Sequence, residues 1–460
     1  MQAFKNISDQ KYSLLNWFEF SLIILSSVLL GIWAAANTIA LRNILLVLGA
    51  LLSIVYFYQL HRQDQLKQYF GVRNSIPLIC IIGLFLWVLA HCFLFPTDYV
   101  AQIDELKSTW LRSALAAVVG VATGIAINRN PNKIYWLWIG MIFSFVFLFG
   151  QYLIDVLQTK NIYPGGYIKY IFSGKVNGVL VGGILIAGVL GSLTCAKNNR
   201  SSRRKLLSFL VAAVVLLILF SYQFILETRS GFLVASVLIL IWTVSNIGVI
   251  IQAINSSTRS KIFAILVMLL LIGLLYSHIK KNQEWFNLHE DIKISRQVDL
   301  YDTWQRDENT SVIPRTPDGR YISTNTYLRI SWLTVGIELL PENIWGHGIL
   351  TNSFQGALNN SRFSNARVKS THSGWLDLYF SLGFMGIMLL IGSLIWFLIY
   401  GFSNGGIFSE VVILLSLLLI IQLMISEMSN KHSLEILQYL ICLMAGLMLK
   451  EINLYYPKIK

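Results

Sequence analysis

The chain is a close-set series of helix-length apolar segments, and one polar stretch, from about Ile279 to His372, interrupts the series. Crossing roughly 30 Å of hydrocarbon at 1.5 Å per residue takes about 18 to 20 apolar residues. About twelve segments qualify: 18–38, 43–60, 76–95, 110–128, 134–157, 176–195, 206–226, 231–254, 262–278, 376–400, 407–427 and 433–449. With 55% hydrophobic and only 13% charged residues, the chain lies far from soluble composition, in which about a quarter of residues are charged. The short alternating runs of a membrane barrel are missing, and in lipid a helix satisfies its own backbone groups. The expected fold is therefore all-α and polytopic.

The distribution of Lys and Arg sets an expected orientation. With the N-terminus on the cytoplasmic side, the inside connections hold roughly twice as many Lys and Arg as the short outside ones, most densely at Lys197, Arg200, Arg203, Arg204 and Lys205. Both termini are then inside, and the 279–375 loop faces the opposite side. The polar Met1 to Trp17 stretch is too long and too weakly positive for a cleaved signal, so the first span is expected to remain. Topology accounts for much of the +13 net charge, which is thus no argument for a nucleic-acid partner.

No linker divides the apolar blocks, so residues 1–460 read as one membrane domain with the 279–375 loop inserted between the ninth and tenth spans. Cys80, Cys92, Cys195 and Cys442 all lie in or at the ends of apolar segments, with no CxxC spacing. The histidines form no i, i+4 pair, and metal-independent, cofactor-free chemistry is expected. The glycines near Gly178, Gly182 and Gly183, and at Gly383 and Gly386, read as close helix packing.

Within the loop, Pro314, Pro317 and Gly319 mark turns. Leu328, Trp332, Val335 and Leu339 recur at helical spacing over Thr324 to Leu340, and Pro341 closes that helix. His372 falls at the outer membrane boundary, just before the next span.

Several side chains can carry chemistry there. Arg229, in a connection of a few residues between two apolar helices, is either a snorkelling interfacial cation or a phosphate ligand. Arg329, inside the loop helix, reads as a solvated charge or a second phosphate ligand, and Arg320 and Lys175 are further cation candidates. His372 is the sharpest: a lone histidine is more often structural, yet imidazole is the side chain best suited to take a proton at neutral pH. Asp377, about a turn later, is placed either to orient that ring or to serve as an ordinary boundary carboxylate. His347, between two glycines, reads as turn chemistry. A histidine base facing several arginines points to transfer with a diphosphate leaving group, and outside the cytoplasm the natural donor of that kind is a polyprenyl-linked sugar.

These residues resemble the bacterial O-antigen ligase and polymerase superfamily of membrane glycosyltransferases, whose members have about a dozen helices, a GT-C-like fold and one large periplasmic loop. Three pieces carry the likeness in order: Thr228-Arg229 with Gly231-Phe232-Leu233; Leu328-Arg329 with Trp332, Gly336, Pro341 and Gly346-His347-Gly348; and His372 with Gly383 and Gly386. The resemblance implies that Arg229 and Arg329 bind diphosphate and that His372 is the catalytic base. It further implies an inner-membrane O-antigen ligase that moves a polysaccharide from undecaprenyl diphosphate to a hydroxyl of lipid A-core, with inversion and without a metal. Ser373 departs from the asparagine that follows the histidine in many ligases, which bears on the subfamily. An O-antigen polymerase or a protein O-oligosaccharyltransferase shares the donor. From another class, a lipid-linked sugar transporter or flippase is expected to show charges within its spans and Pro/Gly-broken helices instead of a large loop.

Overall fold

The computed structural model describes residues 2–69, 72–95, 97–162, 172–195, 201–255, 258–282, 284–305, 313–428 and 431–449. Of the charges that orient the chain, Lys169, Lys197, Arg200, Lys450, Lys458 and Lys460 lie outside these residues. The helices are α1 (Gln2–Ile32), α2 (Ile39–Arg62), α3 (Leu66–Tyr69), α4 (Val72–Leu94), α5 (Tyr99–Glu105), α6 (Leu111–Arg129), α7 (Ile134–Thr159), α8 (Lys175–Cys195) and α9 (Ser201–Phe220). After them come α10 (Arg229–Ser245), α11 (Ile247–Asn255), α12 (Thr258–Lys281), α13 (Glu284–Ser295), α14 (Thr324–Leu339), α15 (Ser353–Asn359), α16 (Gly374–Asn404), α17 (Ser409–Ile425) and α18 (Lys431–Met448). Among the described residues there is no β-strand beyond two isolated bridges.

Nine helical stretches among the described residues are long and apolar enough to cross a membrane, and three shorter apolar helices, Arg229–Ser245, Ser409–Ile425 and His432–Met448, accompany them. The protein is an all-α, multi-pass membrane protein. The expected 231–254 span is divided: α10 stops at Asn246, whose side chain donates to Trp242 O (3.0 Å) and Glu410 Oε2 (3.0 Å), and α11 begins one residue later. The expected 110–128 span starts earlier, because α5 runs into α6 through a wide π turn at Leu106–Trp110.

Small residues set the closest approaches, as they do where apolar side chains alone give no drive for association in lipid. A Cβ on Gly124 of α6 would lie 2.8 Å from Gly446 Cα on α18, and one on Gly31 of α1 would lie 2.6 Å from Gly140 O on α7. The buried Glu19, 1% exposed, is compensated: it faces Arg129 Nε at 2.5 Å and Lys133 Nζ at 3.0 Å, consistent with the cost of an unpaired charge in a low-dielectric interior.

The loop helices α13, α14 and α15 do not float above the bundle. Gly383, at φ 69°, breaks α16 nine residues into the helix, and the break exposes backbone groups that must be satisfied. The segment at residues 344–348 satisfies them. His347 N donates to Phe380 O (2.7 Å), Gly348 N to Ser381 O (2.7 Å) and Phe384 N to Ile344 O (2.7 Å), while Trp87 Nε1 donates to Leu382 O (2.7 Å). Glu105 takes the N–H groups of Leu350 (2.7 Å) and Thr351 (2.8 Å).

The packing yields a paired prediction. Gly124→Leu should lower the melting temperature of the purified protein, by an amount matching about 1–3 kcal/mol of overpacking. Gly273→Leu, where nothing lies within 4 Å, should leave it unchanged, and equal melting temperatures for the two variants would contradict the packing account.

Candidate functional site

A helix leaves its last four carbonyls without intrahelical partners. At the end of α17, loop groups take three consecutive ones. Met424 O accepts from Ser373 Oγ (3.0 Å), Ile425 O from Arg329 Nη1 (3.2 Å) and Ser426 O from Gly374 N (2.8 Å). This places a cation at the negative end of a helix, where the backbone dipoles favour it. It also brings α14, the start of α16 and the α17–α18 connection to one point.

His372 stands in the turn this stitching creates. Its backbone is left-handed, at φ 54°, a conformation that costs a non-glycine residue about 1–3 kcal/mol and that clusters at functional sites. Asp377, fully buried, holds the turn by accepting from Thr371 N (2.7 Å) and Thr371 Oγ1 (2.8 Å), and Ser373 N donates to the same hydroxyl (3.1 Å). The imidazole, 38% exposed, stacks on the Trp332 indole with centroids 5.1 Å apart, and its Nδ1 lies 3.5 Å from Glu427 Oε2. Trp332 is itself fixed by donating to Trp304 O (3.0 Å). The ring is thus gripped on one face and on one nitrogen, and its other nitrogen, Nε2, is the one suited to take a proton.

Arg229 is the first residue of α10. The chain reaches it through a π turn at Ser221–Ile225, a kind of irregularity frequent at functional sites, and through Glu227, also left-handed at φ 46°. Thr228 caps α10 by accepting from Gly231 N (3.3 Å), and Lys281 holds Glu227 at 3.1 Å. Arg229 and Arg329 lie close enough to repel: the protein surrounding Arg329 lowers its pKa, the like charge of Arg229 lowers it further, and Glu427 opposes both. Among the described residues, two guanidiniums, one carboxylate and one imidazole therefore share one neighbourhood, and its two cations can hold an anion.

The other expected residues stand elsewhere. Arg320 binds the buried Asp291 (2.7 Å) and Glu290 (3.8 Å), and its hydrogen bond to Asp291 raises its pKa. Because Asp291 also accepts from Ser323 N (3.2 Å), Arg320 is part of the joint between α13 and the segment that leads into α14. Lys175 opens α8, whose first turn borders a different cavity through Asn177. His347 is half-buried, its pKa lowered by burial and by His91, and its N–H serves the α16 break. Glu427 escaped the sequence reading altogether. Its one local signal is its place directly after an apolar helix, in register with the His372 boundary. No model of a known protein family matches the chain, and no curated protein matches it in sequence.

Asp377→Ala should cost about 2–3 kcal/mol, since it strands the buried Thr371 donors. Thermal denaturation would register this as a clear drop in melting temperature; an unchanged value would show that the His372 turn does not depend on Asp377.

Proposed function

We propose that the protein is a glycosyltransferase that moves a glycan from a polyprenyl diphosphate to a sugar hydroxyl, as an O-antigen ligase acting on undecaprenyl-diphosphate-linked polysaccharide and lipid A-core. In this reading the chain crosses a bacterial inner membrane twelve times, with both termini cytoplasmic and the 279–375 loop in the periplasm. The observation that carries it is the convergence of Arg229, Arg329, His372 and Glu427 beside the end of α17.

The chemistry follows from the geometry. His372 Nε2 takes the proton of the acceptor hydroxyl, and the freed oxygen attacks the anomeric carbon on the face opposite the diphosphate. The bond from that carbon to the phosphate oxygen breaks, and Arg229 and Arg329 stabilise the charge that develops on the leaving diphosphate. Attack from the opposite face inverts the anomeric centre. Glu427 steadies the imidazolium until its proton passes to solvent. The two guanidiniums supply positive charge at the leaving group without a metal. An open groove of about 450 Å³, lined by Tyr276, Ile279, Lys280, Phe286 and Asn287, lies beside Lys281 and offers an apolar path for the polyprenyl chain.

A lipid-linked sugar transporter is the second reading. The broken α16 and the buried charges of Arg42, Arg112 and Glu435 are features such proteins use. Joining of donor to acceptor by purified protein supports transfer; movement of lipid-linked glycan between leaflets without joining supports transport.

Asparagine tolerates a left-handed backbone, so His372→Asn should fold with an unaltered melting temperature and lose about 10² to 10⁴ in transfer rate. Near wild-type transfer by that variant would remove the base assignment. Arg229→Ala and Arg329→Ala should raise the donor KM or depress kcat, and a selective loss of acceptor affinity would overturn their diphosphate role. For the orientation, a membrane-impermeant thiol reagent should label Ser361→Cys from the periplasmic side of intact cells, and protection there would reverse the topology.

A further inference from the structure

Across the short connection between α17 and α18 lies a second group of charges that the proposed transfer does not use. Arg42, in the first turn of α2, donates through Nη1 to Trp33 O (2.7 Å) and approaches His432 through Nη2 (2.5 Å), and its Nε is 3.5 Å from Glu435 Oε2. Arg112, at the start of α6, puts Nε 3.1 Å from the other Glu435 oxygen. The Glu435 side chain is 0% exposed and that of Arg42 is 2% exposed. Two guanidiniums thus share one carboxylate, and among the described residues neither has a second one, which leaves an excess positive charge where desolvation is expensive.

This charge is not sealed in packed core. A cavity of about 90 Å³ adjoins it, lined among others by Trp33, Asn37, Arg42, Ser173, Asn177 and His432. That is room for on the order of three waters, or for one phosphate or carboxylate group. The indole N–H of Trp33 also faces Glu435. The cavity wall is built rather than loose: Ser173 N donates to Ala34 O (2.9 Å), which ties the α1–α2 connection to the start of α8. His432, 39% exposed, stands where the group meets solvent. The polar part of the wall is Asn37, Arg42, Ser173, Asn177, His432 and Ser433, set among apolar side chains around a space of oxyanion size.

We infer that the Arg42–Arg112–Glu435–His432 group is an anion subsite that holds a phosphate or carboxylate carried by the glycan acceptor. The acceptor assignment rests on the transferase reading above. Glu427 and His432 are five residues apart on one connection, so their Cα atoms are separated by at most about 18 Å. A sugar chain whose hydroxyl meets His372 can therefore reach Arg42 with a charged substituent. The same oxyanion chemistry also describes the head group of an anionic membrane lipid, and the test separates the two.

Arg42→Gln is the informative variant, because it removes the excess charge while Arg112 still balances Glu435. His432→Gln provides a second, less buried change. In phosphatidylcholine nanodiscs, inorganic phosphate should raise the melting temperature of the full-length Arg329→Gln protein, whose donor site is weakened. It should fail to do so once Arg42→Gln is added; equal phosphate shifts in the two proteins would overturn the subsite. In transfer assays, Arg42→Gln should raise the KM for a phosphorylated acceptor about tenfold or more, the loss expected for one charge-assisted hydrogen bond. His432→Gln should raise it in the same direction. The KM for the dephosphorylated acceptor and for the donor should stay unchanged. Equal loss with both acceptors would overturn the acceptor assignment, as would protection by phosphatidylglycerol nanodiscs that acceptor cannot displace. If the wild type transfers nothing, the transferase reading fails and takes the acceptor assignment with it, while the phosphate shift still decides whether an anion subsite exists.

Discussion

The unpaired carbonyls at the end of α17 are the constraint on which the rest of the site depends. Protein groups, not other turns of the helix, satisfy them. Ser373, Arg329 and the Gly374 backbone do this, and in doing so they draw the loop helix α14 and the His372 turn onto the bundle. Asp377 and Trp332 then fix the turn from below and from the side. Backbone accounting, more than any pairing of charges, assembles the site.

The same accounting explains the break in α16. A helix interrupted at Gly383 leaves groups that nothing in lipid can satisfy, and the segment at residues 344–348 inserts to meet them. The left-handed glycines Gly346 and Gly383 occur together because their backbones approach too closely for side chains, and at Gly348, also left-handed, a Cβ would meet the side chains of Gln102 and His91. The loop is consequently anchored both at the α16 break and at the α17 end, and the α17 end lies beside the residues that can carry chemistry.

Much of the fold was readable in the sequence, because in a membrane each helix must be apolar and backbone-satisfied by itself, and hydropathy alone therefore reports it. The loop helix was readable from Leu328, Trp332, Val335 and Leu339. Arg229 and His372 could be named because each sits at a boundary where a charge needs a reason, and Arg329 because it stands one turn from Trp332 in the loop helix. What stayed hidden depends on distant partners. Glu427 becomes relevant only when the end of α17 meets His372, and Asp377 turns toward Thr371, a hydrogen-bond choice that spacing does not determine. Arg320 looked like a free cation until Asp291, from α13, came beside it. The Arg42–Glu435–Arg112 group joins α2, α6 and α18, elements far apart in sequence, and only their packing reveals it.

Two cationic centres thus flank one connection, Glu427 to His432, and among the described residues each sets two guanidiniums beside one carboxylate. The most direct test of the central claim is the structure of the purified protein with an undecaprenyl diphosphate glycan bound. The account predicts the diphosphate between Arg229 and Arg329, with oxygens about 3 Å from both guanidiniums and the anomeric carbon facing His372. A diphosphate bound elsewhere, with these residues untouched, would contradict it.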